Sequence, residues 1–149
     1  MKYIAYGSNM VAEQMAHRCP GAKLIGTGYL PNHRLEFYLH ATVEPSRAKD
    51  AQIPVAVWEI DEADEKSLDY YEGYPSYYTK HTRTVKMLDG SEIKGMVYIM
   101  NLIRPYPPAE SYYNGIRDAY KKLGMGSEIE RVLKPALERS FRRSRFSLR

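Results

Sequence analysis

The chain opens with Lys2-Tyr3-Ile4-Ala5-Tyr6-Gly7-Ser8-Asn9, an apolar stretch that runs directly into turn-forming residues. Its first part predicts a strand over Lys2–Tyr6, and Gly7-Ser8-Asn9 predict a turn. We expect the turn to lead into a helix that Ser8 or Asn9 caps and that Cys19-Pro20-Gly21 ends. A loop between a strand and a helix presents free backbone N–H groups, which suit an anion.

Beyond this loop, short apolar runs bounded by Pro, Gly or Asp predict strands over residues 22–30, 33–40, 55–60, 78–87 and 93–100. The last two flank Asp89-Gly90 and predict a hairpin. The polar stretch 41–53 is predicted to be a loop.

Helices are predicted over residues 62–72, 111–123 and 127–137, with these capping residues: Asp61, Ser111 and Ser127. Gly73-Tyr74-Pro75 and Gly124 should end the first two, and Pro135 should kink or break the third. In the first of these helices, three residues are expected to face inward: Ala63, Leu68 and Tyr71.

The order of these elements predicts the fold class. Helices of unequal length interrupt the strands, which favours an α+β single domain over a regular doubly wound array. We expect a curled, mixed, small barrel-like sheet flanked by helices. A length of 149 residues with 44% hydrophobic residues suits one core.

The net charge of +4 is concentrated at the C-terminus. Five arginines within residues 139–149 contribute +5, so residues 1–138 sum to −1. We therefore divide the chain into a domain over 1–138 and a basic tail over 139–149. The tail is predicted to be a solvated terminus.

Several classes of function are disfavoured. No apolar run resembles a signal peptide or approaches the roughly 20 residues that span a bilayer, so we expect a cytoplasmic protein. Cys19 is the one cysteine, and the four histidines lack metal-site spacing, so no metal is expected. No nucleotide-binding glycine motif is present, and no cofactor is expected.

Two stretches carry candidate chemistry: the Tyr6-Gly7-Ser8-Asn9 turn and Leu68-Asp69-Tyr70-Tyr71-Glu72-Gly73-Tyr74-Pro75. Taken singly they are also compatible with an ordinary turn and an exposed carboxylate at a helix end. No catalytic triad is readable. An enzyme built from these residues would depend on one carboxylate and on backbone donors.

Together and in this order, the two stretches resemble the γ-glutamyl cyclotransferase (AIG2-like) family. The first is similar to its substrate loop, and Leu68-Asp69-x-x-Glu72-Gly73-Tyr74-Pro75-x-x-Tyr78 is similar to the segment that holds its catalytic glutamate. Met96–Asn101 and the helix from Ser111 resemble later family segments. The resemblance covers roughly residues 3 to 125 and implies a γ-glutamyl cyclotransferase-like fold.

The resemblance implies that a γ-glutamyl amino acid or amine is converted into 5-oxoproline and the free amine. Glu72 would act as general acid and base while the substrate's α-amino group attacks its own γ-carbonyl. The following would bind substrate: Tyr6, Gly7, Ser8, Asn9, Tyr78 and Tyr112. Tyr74 and Tyr78 would enclose the site. Tyr112 is preferred over Tyr113 by family spacing, and its alternative role is packing on a helix face.

Two other functions stay open at this level. One is a non-catalytic module that binds γ-glutamyl compounds in the same fold. The other is a protein that acts on nucleic acid or membrane through its arginine tail. The expected partner is a small γ-glutamyl molecule, with neither nucleic acid nor membrane. A homodimer and the identity of the leaving amine are left open.

Overall fold

The computed structural model describes residues 1–101 and 104–147 of the chain. Within these ranges it has seven strands and four α-helices. The strands are β1 Lys2–Ala5, β2 Lys23–Pro31, β3 His33–Tyr38, β4 His40–Pro45, β5 Gln52–Glu59, β6 Tyr78–Met87 and β7 Glu92–Met100. The helices are α1 Ala12–Arg18, α2 Glu62–Glu72, α3 Glu110–Lys122 and α4 Lys134–Ser147.

Five strands close into a barrel in the order β1-β5-β2-β6-β7. Neighbours pair antiparallel except at the closure, where β1 runs parallel to β7 and Tyr3 lies opposite Met96. Strand β2 contacts both β5 and β6 and has an irregular register between Leu24 and Gly26. Such an irregularity bends a strand and assists closure. The predicted α+β fold with a curled, mixed sheet is confirmed.

The predicted hairpin is confirmed as β6 and β7, which pair from Tyr78 opposite Met100 to Lys86 opposite Glu92. The predicted loop over 41–53 is wrong in its first part, because β4 pairs antiparallel with β3 outside the barrel. Polar Thr42 is buried there, and its hydroxyl accepts from the backbone N–H of Met100 at 3.0 Å. This contact satisfies the hydroxyl of a buried polar residue on β4.

Helix α2 has the predicted bounds. The Asp61 carboxylate accepts from the backbone N–H of Asp64, and the Asp64 carboxylate accepts from that of Asp61, which is a reciprocal capping box. Gly73 ends the helix at φ 62°, a conformation that favours glycine. Leu68 faces inward as expected, but Ala63 and Tyr71 are exposed. Glu72 is therefore the last residue of a well-capped helix.

The first helix begins later than predicted. Ser8–Met10 form one 3₁₀ turn, and α1 starts at Ala12 without a side-chain cap, so the predicted capping by Ser8 or Asn9 is wrong. Asn9 is instead 2% exposed, inside the protein. Trp58 holds the turn, because its Nε1 donates to the Asn9 carbonyl at 3.0 Å.

The C-terminal helices also differ from expectation. Helix α3 starts without a side-chain cap, so Ser111 does not cap it. The predicted cap at Ser127 is absent too, since a π-helical turn over Ile129–Leu133 begins after Glu128 without a side-chain cap. The predicted break at Pro135 is wrong, because the helical run continues from the π-helical turn directly into α4.

The basic segment is ordered as part of α4 as far as residue 147. The Arg139 and Arg143 guanidinium groups pair with the buried Glu36 carboxylate at 3.2 and 3.3 Å. The expectation of a solvated terminus is therefore wrong for Arg139 and Arg143, since a buried carboxylate requires these charges. The division of the chain at residue 138 stays a prediction.

Candidate active site

A cavity of about 430 Å³ opens where the barrel meets the ends of α1 and α2. Residues from the Tyr6–Asn9 loop, β4, β6, β7 and α3 complete its wall. The cavity brings together the residues predicted to catalyse the reaction or bind substrate: Tyr6, Gly7, Ser8, Asn9, Glu72, Tyr78 and Tyr112. Segments far apart in sequence thus meet around one space.

Gly7 lies in the Tyr6–Asn9 loop, against β4 and α3. A Cβ atom at this position would lie 3.2 Å from the Ala41 Cβ and 3.4 Å from the Tyr112 hydroxyl oxygen. The absence of a side chain therefore lets the loop approach Tyr112 closely. The loop is closed on itself, because the Met10 N–H donates to the Gly7 carbonyl at 3.0 Å.

Glu72 is partly buried at the cavity, and its Oε1 accepts from Asn9 Nδ2 at 3.3 Å. Burial raises the pKa of this carboxyl from 4.5 to about 7, and the Arg18 charge and the Asn9 hydrogen bond oppose that rise. A carboxyl that titrates near neutrality exists in both protonation states at physiological pH. It can therefore accept and return a proton.

Three tyrosine hydroxyls face the cavity with different bonding. The Tyr6 hydroxyl donates to the Tyr98 carbonyl at 2.6 Å, and the Tyr78 hydroxyl donates to the Ala41 carbonyl at 2.8 Å. The Tyr112 hydroxyl instead accepts from the Ala41 N–H at 2.9 Å. Burial raises the pKa of Tyr112, so its hydroxyl stays protonated. The Tyr112 hydroxyl oxygen thus already accepts a hydrogen bond from Ala41, and the hydroxyl keeps a proton that it can donate.

Two tyrosines considered from the sequence lie elsewhere. Tyr113 packs on Phe37, with ring centroids 6.0 Å apart, and it is not among the cavity residues. The expectation that Tyr74 encloses the site is wrong, because its ring is 40% exposed and faces the Lys80 ammonium at 4.3 Å. The cis peptide bond between Tyr74 and Pro75 follows directly after the end of α2.

The sequence reasoning missed Arg18, the last residue of α1, which lines the cavity. Its Nη1 donates to Asn9 Oδ1 at 2.7 Å, and its guanidinium lies 4.7 Å from the centre of the Tyr71 ring. The local sequence gave no signal for this position, because contacts with Asn9 and Gln14 bring the guanidinium to the cavity. His40, Tyr3 and Tyr98 also line the cavity and carried no local signal.

No group of three or more His, Cys, Asp or Glu side chains within residues 1–101 and 104–147 is arranged to hold a metal ion. Over the same ranges, the structure has no helix with the length and apolar character needed to cross a bilayer. The cytoplasmic location stays a prediction, and the oligomeric state stays open.

A closed α+β barrel that places one carboxyl of raised pKa in a tyrosine-lined cavity has the features of a candidate enzyme active site. The chain belongs to the family described as "Gamma-glutamyl cyclotransferase, AIG2-like", whose profile matches residues 3–115. The chain is thus a member of an enzyme family with the predicted fold.

Named relatives agree with this family. The chain is 29% identical over 143 residues to a human protein named "Gamma-glutamylcyclotransferase", with 89% of this chain and 76% of that protein covered. A bovine protein of the same name is 28% identical over 144 residues, covering 88% and 76%. A solved structure named "Gamma-glutamyl cyclotransferase" matches with a TM-score of 0.80 at 27% identity, covering 89% of this chain and 85% of that one.

Proposed function

We propose that the protein converts a γ-glutamyl amino acid or γ-glutamyl amine into 5-oxoproline and the free amine, with Glu72 as general acid and base. The observation that carries this proposal is the partly buried Glu72 carboxyl, whose pKa burial raises to about 7, within contact of the Asn9 amide. The family of the chain and the names of its relatives support the same reaction.

The chemistry needs little beyond orientation and one proton carrier. Ionised Glu72 takes a proton from the substrate's α-amino group, whose nitrogen attacks the γ-carbonyl carbon and forms the new C–N bond. The tetrahedral oxyanion then collapses, the bond to the leaving amine breaks, and Glu72 returns the proton to that amine. Because nucleophile and electrophile belong to one molecule, alignment can contribute an effective concentration of about 10⁵ to 10⁸ M.

The raised pKa of Glu72 suits both the removal of a proton from the α-amino group and its return to the leaving amine. An unperturbed glutamate with a pKa of about 4.3 is a weak base toward an amine. A carboxyl with a pKa near 7 is a stronger base, because its pKa lies closer to that of the amine. Burial is the first cause of the rise, so the enclosed cavity itself prepares the base.

The Gly7–Asn9 loop and Tyr112 are proposed to hold the glutamyl half. Backbone N–H groups of the loop would donate to the α-carboxylate, and Gly7 permits the close approach. Tyr112 would donate its hydroxyl proton to an oxygen of the same half, since its acceptor side is already used by Ala41. Tyr6 and Tyr78, which donate to backbone carbonyls, would shape the cavity.

The test is 5-oxoproline release from a panel of γ-glutamyl amino acids and amines by the wild type and by Glu72→Gln. The substitution removes the base with little change of shape, so release should fall by at least roughly a hundredfold. Glu62→Gln is the matched control, because Glu62 lies in the first turn of the same helix and is exposed. Equal release by wild type and Glu72→Gln would exclude Glu72 as the base.

If the wild type released no 5-oxoproline from any member of the panel, the cyclotransferase activity would be excluded for those substrates. Binding of the same compounds without turnover, measured by calorimetry, would then identify a non-catalytic module of this fold.

A further inference from the structure

Arg18 lines the cavity, and uncharged side chains bind its guanidinium. Its Nη1 donates to Asn9 Oδ1 at 2.7 Å and approaches Ser8 Oγ at 3.5 Å. The Gln14 amide satisfies both of its polar atoms when its Oε1 faces Arg18. In this orientation Oε1 accepts from Arg18 Nη2 at 3.0 Å and from Arg18 Nε at 2.9 Å. The guanidinium also stacks on Tyr71. Arg18 is therefore held firmly beside the substrate loop.

This arrangement determines which way the Asn9 amide points. A guanidinium has only donors, so the Asn9 oxygen has to face Arg18. The amide nitrogen then faces the other way and donates to the Tyr3 hydroxyl at 2.8 Å and to Glu72 Oε1 at 3.3 Å. The reverse orientation would place N–H groups against Nη1 and an oxygen against the Glu72 carboxylate.

We propose that Arg18 is a positioning residue that orients the Asn9 amide toward Glu72, so that Asn9 engages Oε1 and Oε2 is left for the substrate. This inference rests on the proposed function of Glu72. Asn9 is 2% exposed, so its side chain has little freedom apart from this choice of orientation. Loss of Arg18 would free the amide to turn and would remove a cation that favours ionised Glu72.

The other groups near Glu72 do not replace this charge. Burial raises the pKa of the neighbouring phenols, which stay neutral: Tyr3, Tyr6, Tyr77, Tyr78, Tyr98 and Tyr112. Burial lowers the pKa of His40, which favours the neutral ring. On α2 itself, Asp69 is bound by Lys80 at 3.0 Å and by the Tyr98 hydroxyl at 2.6 Å. Arg18 is the cation that the cavity wall presents to Glu72.

Two measurements on the full chain test the proposal. The first is the acid limb of kcat/KM for 5-oxoproline release, which reports the ionisation of the free enzyme. The second is the ¹³C shift of the Glu72 carboxyl carbon against pH without substrate, assigned by its loss in Glu72→Gln. In Arg18→Gln both midpoints should rise by about 0.5 to 1 pH unit, because an opposite charge is removed.

Kinetic constants separate positioning from substrate binding. At pH 7 the kcat/KM of Arg18→Gln should fall about two- to fivefold, as expected when less Glu72 is ionised. At pH 9, above both midpoints, KM should stay within about twofold of the wild type if Arg18 acts through Asn9. Arg18→Lys keeps the charge, so both of its midpoints should lie close to those of the wild type.

Matched variants guard against misfolding and general charge effects. Gln14→Met, at a partly exposed position, removes the acceptor that holds Arg18 and should shift both midpoints in the same direction by less. Lys122→Gln removes an exposed charge that contacts Glu13, outside the cavity, and should shift neither midpoint.

Two results would overturn the proposal. Unchanged midpoints in both Arg18→Gln and Gln14→Met would show that Arg18 does not orient Asn9 toward Glu72. A rise in KM of tenfold or more at pH 9 with an unchanged midpoint would show that Arg18 binds the substrate directly. The carbon titration needs no turnover, so it decides the Arg18 proposal even if the proposed cyclotransferase activity fails.

Discussion

Glu72→Gln should have opposite effects on activity and on stability. The substitution removes the proposed base, so kcat/KM should fall by at least roughly a hundredfold. The same carboxyl is buried enough that its pKa is raised, which means that the folded protein resists its ionisation. Removing the charge should therefore stabilise the fold at a pH where wild-type Glu72 is ionised.

The size of the gain follows from the two pKa values. The unfolded chain ionises Glu72 above about 4.5 and the folded protein above about 7, so the folded state binds more protons between these values. Stability of the wild type thus falls as pH rises through this window. The full difference corresponds to about 3 kcal/mol at pH 8, and we expect about 2 kcal/mol because Glu72 is partly solvated.

The assay compares thermal unfolding of wild type and Glu72→Gln at pH 5 and pH 8. A gain of about 2 kcal/mol corresponds to a Tm rise of roughly 4 to 8 °C at pH 8 for a chain of this size. At pH 5, where Glu72 is protonated in the folded state, the gain should be less than about 1 kcal/mol. Glu62→Gln should leave both values within about 0.5 kcal/mol. An equal effect of Glu72→Gln at both pH values would refute the reasoning.

Three further predictions concern other parts of the molecule. Tyr112→Phe should lower kcat/KM for 5-oxoproline release by about tenfold or more, because a hydrogen bond to a charged group contributes about 1.5 to 3 kcal/mol. Asp61→Ala removes the cap of α2 and should lower the free energy of unfolding by about 1 kcal/mol in calorimetry, with specific activity unchanged. Truncation after Glu138 should cost about 3 kcal/mol or more in urea unfolding, because Glu36, 1% exposed, loses two of its arginine partners.

The first and the last of these have a control in the chain. Tyr113→Phe alters the adjacent ring, which packs on Phe37, and should keep its kcat/KM. A Tyr112→Phe variant as active as Tyr113→Phe would remove the hydroxyl from the mechanism. Replacing the exposed Arg142 and Arg145 by Met lowers the charge of α4 as much as losing Arg139 and Arg143 does. If that pair were as destabilising as the truncation, the pairing with Glu36 would not be the cause.

The sequence predicted those parts of the site that depend on local interactions. Gly7 and Asn9 stand in a turn between apolar runs, and Glu72 lies between a capped helix and the Gly73 turn, so neighbours in the chain place them. Tyr112 was preferred over Tyr113 by the spacing of the family that the sequence resembles, and it is the one that reaches the cavity. The roles of these residues in catalysis stay proposals.

Other features could not be predicted because distant segments create them. Strand β4 was hidden by its polar sequence and forms because β3 and Met100 satisfy its polar groups. Tyr74 follows the Glu72 segment directly, yet it turns outward to Lys80. Arg18 enters the cavity through contacts with Asn9 and Gln14 that local patterns do not encode.

By itself, the sequence determined the strand and helix segments, the turn chemistry and the single carboxylate on which a mechanism can depend. The segments and turns follow from side-chain periodicity, caps and breakers, which act over a few residues, whereas the choice of Glu72 as that carboxylate follows from the family resemblance. Only the tertiary structure decided the parallel closure of the barrel, the burial that raises the pKa of Glu72 and the orientation of Asn9 by Arg18. Desolvation and charge pairing depend on distances between segments far apart in the chain, and folding alone sets those distances.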